Sequence, residues 1–291
     1  MAGKREAVLL MTHFVDDAIV ALYRRLRAES GGRDTYVLLN QTDNPDPGFP
    51  IPGDVEVSAF TVADLRALGY PLKGRRIRDK DIELFSFTFW KRHRGRYDRI
   101  WVVEYDVVFT GAWHELFDAF ADDDAGLLAT SVHRHAVNPG WPNWPSVRTP
   151  DGPPDLSRMV RAFMPLYRLT DEAYRTLDAA YRMGWEGFYE GIVPAILMQA
   201  GLEVEDIGGD GEFVRPGNEN RFYTSTPSDD TLSPGTFVFR PVHAEAGPEP
   251  GQLWHPVKPP AHQVGWPIQR RQRIVHRARV VAARLTQMLG R

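Results

Sequence analysis

The segment RIWVVEYDVVFTG, residues Arg99 to Gly111, reads as the innermost strand of a sheet interrupted by two carboxylates. Ile100, Trp101, Val102, Val103, Val107, Val108 and Phe109 have the composition of a strand buried on both faces. Glu104 and Asp106 stand two residues apart among them, so in an extended chain both side chains point to one side. They also come late in the run, where the ligand crevice of an open parallel sheet lies. Unpaired buried carboxylates cost several kcal/mol, which leaves an arginine partner, a raised pKa or a bound cation as resolutions. Two neighbouring acids favour the cation, and oxygen ligands suit magnesium or manganese. Pairing of Glu104 with one of the many arginines, and turn capping by Asp106, is the structural alternative.

Outward from this strand the pattern is alternating. Glu6 to Met11 and Thr35 to Asn40 are short apolar strands, and Asp16 to Glu29 between them places Ile19, Val20, Leu22, Tyr23 and Leu26 at helical spacing. The four prolines between Thr42 and Asp54 mark a loop. A second helix is predicted over Asp79 to His93, acids first and bases last, in the order that suits the helix dipole. A helix at Trp113 to Phe120 and a strand near Gly126 to Ser131 follow, then a proline-rich loop, Val132 to Pro154, too poor in aliphatics to be core. RAFMPLYRLT reads as a strand ending at Thr170, which caps a helix through Met183. WEGFYEGIVPAILMQAG leads into another helix, Leu202 to Ile207 reads as a strand at the sheet margin, and Thr236 to Arg240 as one more strand. The fold class is α/β, a single Rossmann-like domain with a mostly parallel central sheet. The domain covers residues 1–262, with a nucleotide-binding half over about 1–112 and an acceptor half over about 113–262.

Composition narrows the function. The 291 residues are 43% hydrophobic with a formal net charge of -3, which suits a globular protein and gives no global attraction to nucleic acid. Cysteine is absent, so disulfides, thiolate metal sites and a cysteine nucleophile are excluded. No segment approaches a membrane span, and Ala7 to Met11 is too short for a signal-peptide core, so the expected location is the cytoplasm. Trp266 to Arg291 holds seven arginines and no acid, with Ile274, Ala278, Val281, Leu285 and Met288 along one helical stripe. This C-terminal basic helix, residues 263–291, suits packing on the acidic body or peripheral contact with an anionic membrane surface. No aromatic and basic platform accompanies it, so nucleic acid is not an expected partner.

The arrangement resembles the GT-A type glycosyltransferases. In that family a strand-helix-strand nucleotide-binding half ends in an apolar strand bearing an Asp-x-Asp type motif, and VVEYDVVF is similar to it with Glu104 in the first position. Glutamate keeps the carboxylate and lengthens its reach. HPVKP, starting at His255, resembles the late histidine-bearing loop that supplies a further metal ligand, although His243 in RPVHAE competes for that role. PLYRLTDEAYRTL looks like the strand and helix that follow the metal strand, and WEGFYEG lies where the family often has an acid facing the acceptor. The resemblance covers roughly Ala7 to Pro260 and implies Mn2+ or Mg2+ on Glu104, Asp106 and His255. It further implies a nucleoside-diphosphate sugar donor, UDP-linked by preference, and an acceptor hydroxyl.

Several residues gain candidate roles from this. Lys258 can neutralise the leaving nucleotide beside the metal. Glu186 and Glu190, four apart, are candidate bases toward the acceptor, with Glu186 preferred because it precedes the helix. Thr12 and His13 after the first strand, and Asp43 after the second, are placed for ribose and base, and Arg78, Asp79 and Lys80 for base or phosphate. Trp141 and Trp144 are candidate stacking partners for an acceptor sugar, with His133 and His135 beside them. A sugar nucleotidyltransferase on a related fold is the rival enzyme, yet it calls for a glycine-rich basic loop after the first strand, and THFVDD (Thr12 to Asp17) is neither. A non-catalytic nucleotide- or sugar-binding protein of the same fold is the remaining alternative.

Overall fold

The computed structural model describes residues 4–42, 51–70, 82–225 and 235–258. The basic C-terminal segment therefore lies outside the described residues, as do Asp43, Arg78, Asp79 and Lys80. A strand-helix-strand unit opens the chain: β1 (Glu6–Thr12), α1 (Asp17–Glu29) and β2 (Asp34–Asn40). The Asp16 side chain caps α1 by accepting from Ile19 N at 2.9 Å. Next come β3 (Val57–Phe60) and α2 (Val62–Ala67), neither of which the hydrophobic pattern announces because both are short. Thr61 and Asp64 close α2 with a reciprocal capping box.

Helix α3 (Glu83–Arg92) leads to β4 (Arg99–Glu104), the first half of the quoted segment. The strand stops at Glu104. Tyr105 and Asp106 form a turn closed by Val107 N donating to Glu104 O at 3.0 Å, and the chain resumes as the short β5 (Val108–Phe109). The acidic pair thus stands at the end of β4 and in the turn after it, and the extended chain assumed for Glu104 and Asp106 gives way to a turn.

The second half of the chain supplies α4 (Trp113–Asp118), β6 (Leu127–Arg134), β7 (Val160–Thr170), α5 (Asp171–Arg182), α6 (Tyr189–Gln199), β8 (Val204–Asp206) and β9 (Leu253–Trp254). The main sheet runs β3-β2-β1-β4-β7-β6-β8, so β8 does lie at a margin. Parallel pairings dominate, with β7 antiparallel to both neighbours. Residues 236–240 form an isolated bridge, Phe237 with His255, in place of the expected strand.

Strand alternation divides the core between the two faces of the sheet. Ala7, Leu9, Ile100 and Val102 pack with residues of α2, α3, α5 and α6, while Val8, Leu10, Trp101 and Val103 pack with residues of α1 and α4. The loop expected to stay outside the core contributes to it: Trp141, Trp144 and Val147 are buried in the first of these clusters. Indole rings supply there the apolar area that the loop lacks in aliphatics.

Charges close the amino end of the central strands. Arg168 on β7 is fully buried, and its guanidinium donates to Asp123 Oδ1 at 3.0 Å and to the carbonyls of Phe120, Asp123 and Ala125. Burial pulls this guanidinium down to about 10, which leaves it charged at neutral pH. Glu205 on β8 faces the same cluster, pairing with Arg215 at 2.9 Å. Burial, and then the neighbouring Asp123, push the Glu205 carboxyl up to about 7.

Two outcomes follow from these contacts. Thr170 caps α5 through Ala173 N at 3.1 Å, so Thr170→Ala should cost about 1 kcal/mol in denaturant unfolding. Because the folded-state pKa of Glu205 is raised, the folded protein binds the proton more tightly than the unfolded chain. Its contribution to stability is full below its ordinary 4.5 and is lost as pH rises through about 7. Melting temperatures of wild type should fall across that window, and Glu205→Gln should flatten the fall.

Candidate functional site

The strand order carries the chain from β1 outward through β2 to β3, then back to β4 on the other side of β1. The strand order thus reverses between β1 and β4, and the carboxyl ends of strands at such a reversal are where open α/β sheets hold ligands. Met11 pairs with Glu104 across that end, and Tyr105 N donates to Met11 O at 3.0 Å. Glu104 therefore stands at the carboxyl end of β4, and the turn after it brings Asp106 to the same spot. Convergence comes from the turn as much as from strand alternation.

His255 arrives from 149 residues away in sequence by strand pairing. β9 pairs antiparallel with β5, Trp254 opposite Val108, and Val257 N then donates to Asp106 O at 2.8 Å. One ligand atom from each of Glu104, Asp106 and His255 lies within 4.8 Å of the others. His255 Nε2 is 3.7 Å from Asp106 Oδ1 and 4.0 Å from Glu104 Oε2. The acidic pair and histidine expected of a GT-A type site are thus together.

Their chemistry suits a divalent cation. The ring Nδ1 of His255 lies 2.9 Å from Val238 O. A carbonyl only accepts, so Nδ1 carries the proton and Nε2 keeps its lone pair toward the carboxylates, as in metal-binding imidazoles. Burial holds the pKa of His255 below its ordinary value against the pull of Asp106, which favours the neutral ring. Asp106 Oδ1 is buried without a hydrogen-bond partner among the described residues. Burial, then Asp106 and Glu190, raise the Glu104 pKa well above the ordinary carboxylate range. Two oxygens and one nitrogen at this spacing would accommodate Mn2+ or Mg2+, whose remaining positions are usually filled by water and phosphate.

A cation of the protein's own stands beside the group. Lys258 Nζ lies 3.1 Å from Asp106 Oδ2 and donates to the Tyr105 hydroxyl at 3.0 Å. Burial alone would lower its pKa, but Asp106 and Tyr105 outweigh burial and hold the ammonium above its usual range.

The other candidates fall into three groups. Glu190 on α6 is buried and close enough to raise Glu104, whereas Glu186 is exposed and joined through its main chain to Arg148. Thr12 closes the turn after β1 by donating to Phe14 O at 2.8 Å, and half-buried His13 packs edge-on against Tyr105 with ring centres 5.5 Å apart. His243 packs against Trp254 and is not in the group of Glu104, Asp106 and His255.

Trp141 and Trp144 are a correction. Both are buried, packed against each other edge to face at 4.9 Å, and Trp144 Nε1 donates to Asn138 O, so neither presents a face for a sugar. His133 and His135 go the same way: burial and then Arg161 push the former down to about 4, and the latter packs on Trp144. Sequence reading missed Tyr105 and the Val238 carbonyl. The tyrosine passes for apolar filling inside its strand run, and a carbonyl leaves no residue signal.

No protein-family model matches the chain, and no curated protein matches it. Among solved structures the chain is similar to mouse xyloside xylosyltransferase 1 in its apo form, at 14% identity and a TM-score of 0.40, over 70% of this chain and 85% of that one. It is also similar to a Bacillus anthracis protein described as a glucose-1-phosphate thymidylyltransferase in complex with a sucrose, at 13% identity and a TM-score of 0.38, over 71% and 87% of the two chains. A third is the inositol-1-phosphate CTP transferase from T. maritima, at 13% identity and a TM-score of 0.40, over 75% and 93%. Among the described residues no helix is long and apolar enough to cross a membrane.

Removing one carboxylate should have opposite effects with and without metal. Glu104→Gln is expected to raise the melting temperature in EDTA, because the charge crowded against Asp106 and Glu190 is gone. The same variant should lose the rise in melting temperature that Mn2+ gives wild type. A Mn2+-induced rise retained in full would contradict the assignment of Glu104 to the cation.

Proposed function

We propose that the protein is a metal-dependent glycosyltransferase of GT-A type, moving a sugar from a nucleoside-diphosphate sugar to an acceptor hydroxyl. The observation that carries the reading is the Asp106 carboxylate in the turn after β4. One of its oxygens is buried and unpartnered and faces His255 Nε2, while the other meets Lys258. A carboxylate oxygen and a neutral imidazole nitrogen that face each other both present lone pairs, which a cation between them would satisfy.

Glu104, Asp106 and His255 would hold Mn2+ or Mg2+, which when bound supplies positive charge to the diphosphate. Lys258 stands where its ammonium stabilises the negative charge that develops on the departing nucleoside diphosphate. Val238 O keeps the His255 ring in the tautomer that presents Nε2. Glu190 suits the part of acceptor base better than Glu186, because it is buried within the electrostatic reach of Glu104 while Glu186 is exposed. His13 and Thr12 at the end of β1, with Asp43, Arg78, Asp79 and Lys80, are assigned to the nucleotide, with uridine preferred.

The rival nucleotidyltransferase reading needs the chain after β1 to cradle a triphosphate. Here Asp16 caps α1 through Ile19 N and Asp17 opens the helix, so the chain after β1 carries two carboxylates and no glycine-rich basic loop.

Calorimetric titration of UDP tests the proposal. Binding is expected with Mn2+, to be lost with a chelator and to weaken at least tenfold in Asp106→Asn, about 1.4 kcal/mol or more. Absence of UDP binding with Mn2+ present would remove the UDP-dependent reading. Release of pyrophosphate from UTP and a sugar 1-phosphate would establish the nucleotidyltransferase instead.

A further inference from the structure

Tyr105 sits between the two carboxylates, yet its side chain turns toward neither. Its main-chain N–H is fixed to Met11 O, and its ring is held by edge-to-face packing against Phe14 at 5.1 Å and His13 at 5.5 Å. Its hydroxyl accepts from Lys258 Nζ at 3.0 Å, and the same ammonium lies 5.1 Å from the centre of its ring. The third neighbour of that ammonium is Asp106 Oδ2, at 3.1 Å. The two oxygens of Asp106 are thus in different hands: Oδ2 belongs to lysine, and Oδ1, buried and unpartnered, faces His255.

We infer that Tyr105 is a positioning residue that holds Lys258 as the resident counter-ion of Asp106, so that divalent metal and nucleoside diphosphate fill the site as a pair. The inference rests on reading the end of β4 as a metal and diphosphate site, and it adds a coupling between the two ligands set by this chain's own residues. While Lys258 occupies Oδ2, Asp106 offers a metal one oxygen only. An ammonium and a dication sharing one partly buried carboxylate also repel each other. A diphosphate relieves both restraints, since its negative charge draws the ammonium and frees Oδ2. Metal and diphosphate must then tighten each other's binding by the same factor. Metal alone, or a neutral sugar alone, gains nothing from the lysine.

The test is Mn2+ affinity by electron paramagnetic resonance of the free ion, with and without UDP, in wild type, Lys258→Met, Lys258→Arg and Tyr105→Phe. In wild type, UDP should tighten Mn2+ by about tenfold. Lys258→Met should tighten Mn2+ alone by about tenfold and abolish most of the UDP gain, whereas Lys258→Arg, which keeps the charge, should stay near wild type. Tyr105→Phe loses only the hydroxyl and should shift both quantities in the same sense by about threefold. Should Lys258→Met fail to fold, the tyrosine variant carries the test. Mn2+ affinity that is unchanged or weaker in Lys258→Met and Tyr105→Phe overturns the inference. If Mn2+ tightens in these variants while UDP has no effect on any of them, the counter-ion stands, and the pairing with UDP falls together with the UDP-dependent reading.

Discussion

Asp106 is the joint on which the site depends. Its carbonyl accepts from Val257 N and so anchors the chain after β9, while its carboxylate meets Lys258 on one oxygen and faces His255 on the other. One segment distant in sequence, residues 255–258, is thereby registered against a single residue at three points. A carboxylate in this position is costly to bury, and the surrounding structure offsets that cost with an ammonium on one side only. The unbalanced half is where a ligand's positive charge fits.

The sheet makes this arrangement rigid. β4 is buried between helices on both faces, so Glu104 at its end has little freedom to retreat into solvent. The amino end of the same strands is closed differently, by Arg99, Arg168, Glu6 and Asp123, whose charges are paired in a network. At the other end Asp106 Oδ1 has no hydrogen-bond partner among the described residues, and it faces a histidine nitrogen instead of a cation.

Several elements were legible in the sequence because their physics is local. The Thr170 cap, the helix after Asp16 and the alternation that sends Ile100 and Val102 to one face and Trp101 and Val103 to the other all follow from neighbours a few residues apart. Short elements such as β3 and α2 escaped because they carry too few residues to show a period. The loop holding Trp141 and Trp144 misled because its prolines and glycine mask two large apolar rings that only tertiary packing could place inside.

The sequence by itself determined the α/β class, the acidic pair at the end of a buried strand and the residue types that suit a hard cation. Only the tertiary structure decided that His255 rather than His243 joins that pair, because β5 and β9 must pair to bring it there. It alone separated buried Glu190 from exposed Glu186, and gave Tyr105 its hold on Lys258. The division has one physical reason. Propensity and periodicity act between residues close in the chain, whereas a site is a set of distances between residues that the chain brings together only when its core is packed.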